Sequence, residues 1–187
     1  MLALSFDPFP LLESERLYLR DVTPEDVNEV FAMRSDPVTM KYIPRPLAQT
    51  KQDALDHITL IEKGRLANES INWGITLKGD GKLIGMICLL RMQLKNFRTE
   101  IGYILHPDFH GKGIMDESIK IVIQYAFDTL KFHSIEAVID PQNAASEKVL
   151  LKNNFVKEAH LKEYEYYDGK FLDSVIYSLI NKDSPWR

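Results

Sequence analysis

The spacing of apolar residues divides the chain into alternating strand and helix patterns. Leu17, Tyr18 and Leu19 read as a short strand. Thr23-Pro24-Glu25-Asp26 then offers an N-cap, a first-turn proline and early acidic residues for a helix through about Ser35. Residues 37–46, with Pro44 and Pro46 on either side of Arg45, cannot be regular helix and are expected as an ordered loop. A second helix is predicted over about residues 50–66. Residues 73–77, 82–90 and 98–105 alternate as strands, separated by Gly79-Asp80-Gly81 and by the polar stretch 93–96, which predicts an antiparallel meander. After Gly113, apolar positions at Met115, Ile119, Val122, Ala126 and Leu130, widened by Ile123 and Phe127, predict the longest helix. A strand over 135–139, a helix over 144–153 and two strands over 157–167 and 171–180, joined at Asp168-Gly169, complete the pattern. The class is mixed α/β, or α+β. If strands 98–105 and 135–139 pair in parallel, the segment between them is a right-handed crossover, and a ligand belongs at the carboxyl end of the first strand.

At 187 residues, with 45% hydrophobic and 27% charged positions, the chain is expected to form one globular domain over 1–187. Its net charge of -4 argues against nucleic acid or an anionic membrane face as partner, and leaves room for a basic acceptor. The N-terminal segment has neither a basic region nor a long apolar run, and no later stretch reaches the ~20 apolar residues of a membrane span. Cytoplasmic residence is the expectation. The lone cysteine, Cys88, lies in an apolar run and reads as a small buried hydrophobe. His106 and His110 are four apart, but Pro107 between them spoils the helical geometry of a ligand pair, and no metal is expected.

The candidate chemistry lies in His106-Pro107-Asp108-Phe109-His110-Gly111-Lys112-Gly113-Ile114, which joins a strand to the long helix. Two glycines allow successive amides to converge where the helix dipole is positive, and Lys112 adds a cation, so the turn suits an anion, although Gly111 and Gly113 on their own equally describe a plain tight turn. It lacks the spacing of a nucleotide P-loop, and Asp116 stands where a dinucleotide fingerprint needs its third glycine.

With this turn, three stretches resemble the GNAT acetyltransferase superfamily, in particular its branch of RimJ/RimL-like ribosomal-protein N-terminal acetyltransferases. They are Leu12-Glu13-Ser14-Glu15-Arg16-Leu17-Tyr18-Leu19-Arg20 with Asp26 beyond it, Glu100-Ile101-Gly102-Tyr103-Ile104-Leu105-His106-Pro107 followed by Gly111-Lys112-Gly113 and Glu117, and Asn143-Ala144-Ala145-Ser146 leading to Asn153-Asn154-Phe155. The resemblance implies a central, mostly antiparallel mixed sheet, splayed at the cofactor strand and flanked by about four helices. It implies acetyl-CoA as co-substrate, with pantetheine on Ile104 and Leu105 and pyrophosphate on the amides of His110, Gly111, Lys112, Gly113 and Ile114. Four positions depart from the family pattern. Asp108 would weaken cofactor binding if it faced the pyrophosphate, Ile114 and Met115 follow the second glycine, and Asn154 replaces a glycine and must accept a positive φ.

Acetyl transfer to an amine needs a base, a donor at the thioester oxygen and a partner for the departing sulfur. By resemblance the base is Glu100, which on its residues alone could instead be an ion-paired strand carboxylate with Arg98 as partner. Ser146 is the candidate donor to the thiolate, Asn143 the candidate partner for pantetheine as well as a helix N-cap, and an amide near Ile104 or Leu105 the candidate polariser of the carbonyl. Tyr42, Pro44 and Arg45 are expected on one wall of the acceptor site, and Tyr166, among the neighbouring tyrosines 164, 166 and 167, on another. The expected acceptor is a primary amine, foremost a protein or peptide N-terminus. A small-molecule amine, or a CoA-binding module without catalysis, are the alternatives. The state is expected to be monomer or homodimer.

Overall fold

The computed structural model describes residues 2–186; Met1 and Arg187, the ends of the expected domain, lie outside the described residues. Two short strands open the chain, β1 (Leu12–Glu13) and β2 (Leu17–Arg20), followed by a 3-10 turn at Pro24–Asp26 and helix α1 (Val27–Ser35). Helix α2 (Lys51–Leu66) leads into the meander β3 (Ile71–Leu77), β4 (Leu83–Gln93) and β5 (Arg98–Leu105). Helix α3 (Ile114–Gln124), strand β6 (Ser134–Ile139), helix α4 (Ala144–Lys152) and the hairpin β7 (Val156–Tyr167) and β8 (Lys170–Ile180) follow. All eight strands join one sheet in the order β1-β2-β3-β4-β5-β6-β8-β7. Every pairing is antiparallel except β5 with β6, so β5-α3-β6 is the expected parallel crossover.

Local chemistry accounts for these boundaries. Thr50 caps α2 by accepting from the Asp53 amide, and the prolines keep residues 37–46 in turns. Asn154 ends the α4 turn at φ 63°, the positive value that its replacement of glycine requires. Two features differ from the sequence reading. Leu12–Glu13 forms a two-residue edge strand on β2 that is too short for a periodicity to show. The long helix widens after Gln124 into a π turn over Tyr125–Thr129, where the Leu130 amide donates to the Tyr125 carbonyl at 3.1 Å.

Both faces of the sheet are covered. One carries the main core, built on Leu17, Leu19, Trp73, Ile87, Leu89 and Ile101 with Ile119 and Val122 of α3. Trp73 has 0% exposure and its indole nitrogen donates to the Pro10 carbonyl at 2.8 Å, so its bulk is buried without an orphaned donor. The other face packs Val30 and Met33 of α1 and Ala54, Ile58 and Ile61 of α2 on Leu83 and Met86, with Ile104 against them. Full burial of each large apolar side chain contributes about 1.5–3 kcal/mol before entropy is counted.

A partly buried ion pair locks α1 to the sheet. Arg20 donates from both terminal nitrogens to Asp26, at 2.9 and 2.6 Å, and the Thr23 amide donates to the same carboxylate at 2.9 Å. Burial alone would raise the Asp26 carboxyl, but the hydrogen bonds from Arg20 and Thr23 and the charge of Arg20 hold it below its ordinary range. Asp26→Asn is therefore expected to cost about 2 kcal/mol at pH 7 in chemical unfolding. Because the folded carboxyl is depressed, its contribution is complete above the unfolded value and is lost as pH falls through the folded one, so the gap to wild type should close in acid.

Candidate active site

Strand β5 pairs with β6 only at Arg98↔Ser134, Thr99↔Ile135 and Glu100↔Glu136, after which the two parallel strands part. On its other side β5 stays paired to β4 as far as Leu105. Residues 101–105 therefore have one open backbone edge. Alternation decides which groups face it. The His106 amide donates to the Ile84 carbonyl at 2.9 Å, so Ile104, two residues back, also turns its amide and carbonyl toward β4. Tyr103 and Leu105 turn theirs to the open edge. This corrects the expectation for Ile104, whose backbone is engaged by the sheet and whose side chain packs under α1 and α2.

The same alternation separates the side chains by chemistry. Glu100, Gly102 and Ile104 lie on the α1–α2 face, and Ile101, Tyr103 and Leu105 on the α3–α4 face. On the first face, Glu100 is 8% exposed and receives Arg91 Nη1 on both oxygens, at 3.1 and 2.8 Å. Arg98, the partner expected from sequence, instead pairs with Glu136 at 3.3 Å. Burial raises the Glu100 carboxyl above its usual range against the pull of Arg91, and the charges of Glu136 and Glu165 push the same way. On the second face, the Tyr103 hydroxyl meets Ser146 Oγ at 2.6 Å across the gap between the parted strands. Burial pushes the Tyr103 phenol up to about 12, with the Ser146 bond opposing. Tyr103 received no role from its sequence position; its place on the Leu105 side of β5, toward the start of α4, is the signal that could have found it.

Gly111 and Gly113 both adopt positive φ, 73° and 75°, and an added Cβ at Gly111 would meet nothing within 4 Å. Backbone conformation, rather than crowding, demands glycine there. Gly113 caps α3, which leaves the amides of the first turn without acceptors inside the helix. The His110 amide, expected among the anion donors, is already given to the Pro107 carbonyl at 3.0 Å, and its ring Nε2–H donates to the Leu105 carbonyl, also at 3.0 Å. The amides open to an anion thus start at Gly111. Lys112 lies over the Phe109 ring at 5.3 Å. Asp108 is 81% exposed and turns its carboxylate toward His106 Nδ1 at 3.7 Å, while Met115 packs against the main core.

The turn is braced from the far edge of the sheet. Glu117 accepts from Ser14 Oγ at 2.5 Å and from Arg16 Nε at 2.7 Å, and Arg16 also donates to the Lys112 carbonyl at 3.2 Å. Asp116 accepts from Asn153 at 2.9 Å and pairs with Lys120 and Lys152, tying α3 to α4. Asn143 Oδ1 accepts the Ser146 amide at 3.1 Å, so its carbonyl is a cap and only its amide nitrogen is left for a ligand. None of the acceptor-wall candidates Tyr42, Pro44, Arg45 and Tyr166 bonds to Glu100 among the described residues; its side-chain partner is Arg91. Tyr42 lies under Lys41 at 4.9 Å, and Tyr166 packs edge to face on Phe171 at 5.0 Å near the hairpin tip. It is Glu165 of β7 whose charge reaches Arg91.

Residues 16–156 match the acetyltransferase (GNAT) domain family. The chain belongs to the GNAT acetyltransferase family. It is similar to the N-acetyltransferase YoaA of Bacillus subtilis, 33% identical over 172 residues that cover 92% of this chain and 97% of that one. Among solved structures, a GNAT-family acetyltransferase from Bacillus anthracis matches with TM-score 0.82 at 26% identity, covering 91% of this chain and 98% of that one. A shorter stretch of 83 residues, 44% of this chain and 43% of the relative, is 34% identical to the ribosomal protein uS5-alanine N-acetyltransferase of Escherichia coli. As a GNAT acetyltransferase the chain moves an acetyl group from acetyl-CoA to an amine, which sets aside a module without catalysis. The open edge of β5 and the free amides after His110 suit pantetheine and pyrophosphate, and no helix among the described residues is long and apolar enough to cross a membrane.

Gly113→Ala would force alanine into the left-handed region at a cost of about 1–2 kcal/mol. It is expected to raise the Kd for acetyl-CoA about tenfold by calorimetry. Gly79→Ala carries similar strain at φ 91° in an open turn and should leave that Kd unchanged.

Proposed function

We propose that the chain acetylates the N-terminal α-amine of a protein or peptide. The observation that carries this reading is the placement of Glu100, a buried carboxylate with a raised pKa, on one face of the parted strand, with a hydroxyl pair on the other. An α-amine with a reference pKa of about 8 costs roughly 1.4 kcal/mol to deprotonate at pH 7, whereas a lysine-like amine near 10.4 costs roughly 4.6 kcal/mol. A single carboxylate restrained by Arg91 is better matched to the smaller demand. The partial likeness to a uS5-alanine N-acetyltransferase supports the same acceptor class.

In this reading the Tyr103 and Leu105 backbone holds pantetheine, and the amides of Gly111, Lys112, Gly113 and Ile114 hold the pyrophosphate. The Leu105 amide is the donor for negative charge that develops on the thioester oxygen. Glu100 takes the amine proton, directly or through a water, while Arg91 keeps the carboxylate oriented. Tyr103 and Ser146 face the departing sulfur. A phenol near 12 is about 3.5 units weaker as an acid than a reference thiol near 8.5, so full proton transfer would be uphill by roughly 5 kcal/mol. The pair therefore acts by donating a hydrogen bond to a thiolate that leaves as the anion. Asn143 fixes Ser146 through its amide and presents its own side-chain nitrogen to pantetheine.

Two variants test this assignment. Glu100→Gln is expected to keep acetyl-CoA affinity and to lose at least about tenfold in kcat, together with the acid limb of the kcat/KM profile, whose midpoint in wild type should lie above about 4.3. An unchanged pH profile removes Glu100 as base. Tyr103→Phe and Ser146→Ala should each slow acetyl transfer in single turnover, and the double variant should lose little beyond the worse single, because the two hydroxyls act as one unit.

A further inference from the structure

The α1–α2 face carries a second chemical feature that the acetyl-transfer site does not use. Five arginines, Arg16, Arg20, Arg65, Arg91 and Arg98, form ion pairs with carboxylates. Among the described residues the remaining two, Arg34 and Arg45, form none, and they lie close enough for the charge of one to act on the other. Arg34, in the last turn of α1, lines a hollow of about 370 Å³ with Pro46, Leu47, Ala48, Gln49 and Asp53. The loop is held to this position by the Ala48 amide, which donates to the Arg34 carbonyl at 3.0 Å.

The local electrostatics are uncompensated. Burial first, and the Arg45 charge second, lower the Arg34 guanidinium from its usual value. His57, one helical turn beyond Asp53 on α2, is pushed down to about 4 by burial and by Arg34, and is neutral at pH 7. Asp53 is the one carboxylate on the lining. Its Oδ2 accepts the amides of Gln49 and Thr50, both at 2.8 Å, which occupies that oxygen in capping α2. Arg34 lines the hollow and Arg45 precedes its lining residue Pro46, and neither has a carboxylate within 4 Å among the described residues, which leaves the recognition of an anion to a ligand.

The hollow flanks the acceptor side of the site. Its lining comes from the last turn of α1 and from the loop and first turn of α2, the two helices that pack on the sheet face carrying Ile104 and, by alternation, Glu100. We propose that Arg34 and Arg45 bind a carboxylate or phosphate carried by the acceptor, so that the enzyme selects amines with a negative charge set apart from the reacting nitrogen. This rests on the acetyl-acceptor reading above and narrows it. It reverses what the net charge of -4 suggests, because the two guanidiniums act at the site and most of the acidic residues do not.

The test has a binding arm and a turnover arm. In the enzyme alone, the His57 imidazole is followed by NMR across pH with added acetate, inorganic phosphate or, for ionic strength, chloride. Acetate or phosphate should raise the His57 pKa beyond the chloride control, and which of them does so names the anion; no excess shift with either overturns the proposal. Arg34→Gln should abolish the excess shift, and if that variant does not fold, Arg45→Gln, at an exposed position, makes the same comparison. In turnover, peptides that differ only in Asp against Asn, or phosphoserine against serine, near the N-terminus should differ about tenfold in kcat/KM in favour of the anion, a ratio that collapses in either variant. Equal rates, or a preference for lysine at the same place, refute it. If acetyl-CoA binds but no peptide is acetylated, the N-terminal acceptor reading fails, and the anion titration still decides this proposal.

Discussion

The structure turns on the loss of pairing between β5 and β6 after Glu100↔Glu136. Up to that point the two strands are pinned: the amides of His133 and Ser134 both donate to the Phe97 carbonyl, at 2.7 and 3.2 Å. Beyond it, the backbone groups of Tyr103 and the amide of Leu105 have no strand to meet, the Leu105 carbonyl being taken by the His110 ring, and an unpaired backbone group is costly away from water. Such an edge is stable only where water or a ligand with amide-like donors and acceptors can complete it. Pantetheine has that character. The gap is not a loose end, because Tyr103 and Ser146 bridge it from the α3–α4 face.

The rest of the site is arranged around that gap at different levels of rigidity. The glycine turn is held by Ser14 and Arg16 through Glu117, so the first strands of the chain position a loop about a hundred residues later. Asp116 holds the start of α3 against the end of α4. On the opposite face the Arg20–Asp26 pair fixes the start of α1, while its other end carries Arg34 and the loop toward Arg45. The glycine turn and α3 are thus tied by short charge-assisted bonds, and the far end of α1 by the backbone bond from Ala48 to Arg34.

Much of this was legible in the sequence because it rests on local patterns. The meander, the crossover helix and the Asp168-Gly169 hairpin follow from apolar periodicity and turn residues, and the glycine turn from its place between a strand and a helix. What was not legible depends on the third dimension. Arg91 rather than Arg98 meets Glu100 because β4 is irregular after Leu90, where Arg91 sits at φ 48° and the register to β5 shifts. Ile104 was misread as a backbone partner because the direction of a strand's amides depends on which neighbour it pairs with. The π turn after Gln124 and the contact of Tyr103 with Ser146, 43 residues apart, leave no trace in spacing. The isolation of Arg34 and Arg45 is visible only once every other arginine among the described residues has been given its partner.

Backbone hydrogen exchange with and without acetyl-CoA tests the central claim, that the parted edge of β5 and the turn after His110 form the cofactor site. The account predicts new protection at the amides of Tyr103, Leu105, Gly111 and Gly113, with the amide of Ile104, already bonded to β4, unchanged. Binding of acetyl-CoA without added protection at Tyr103 and Leu105 would contradict it.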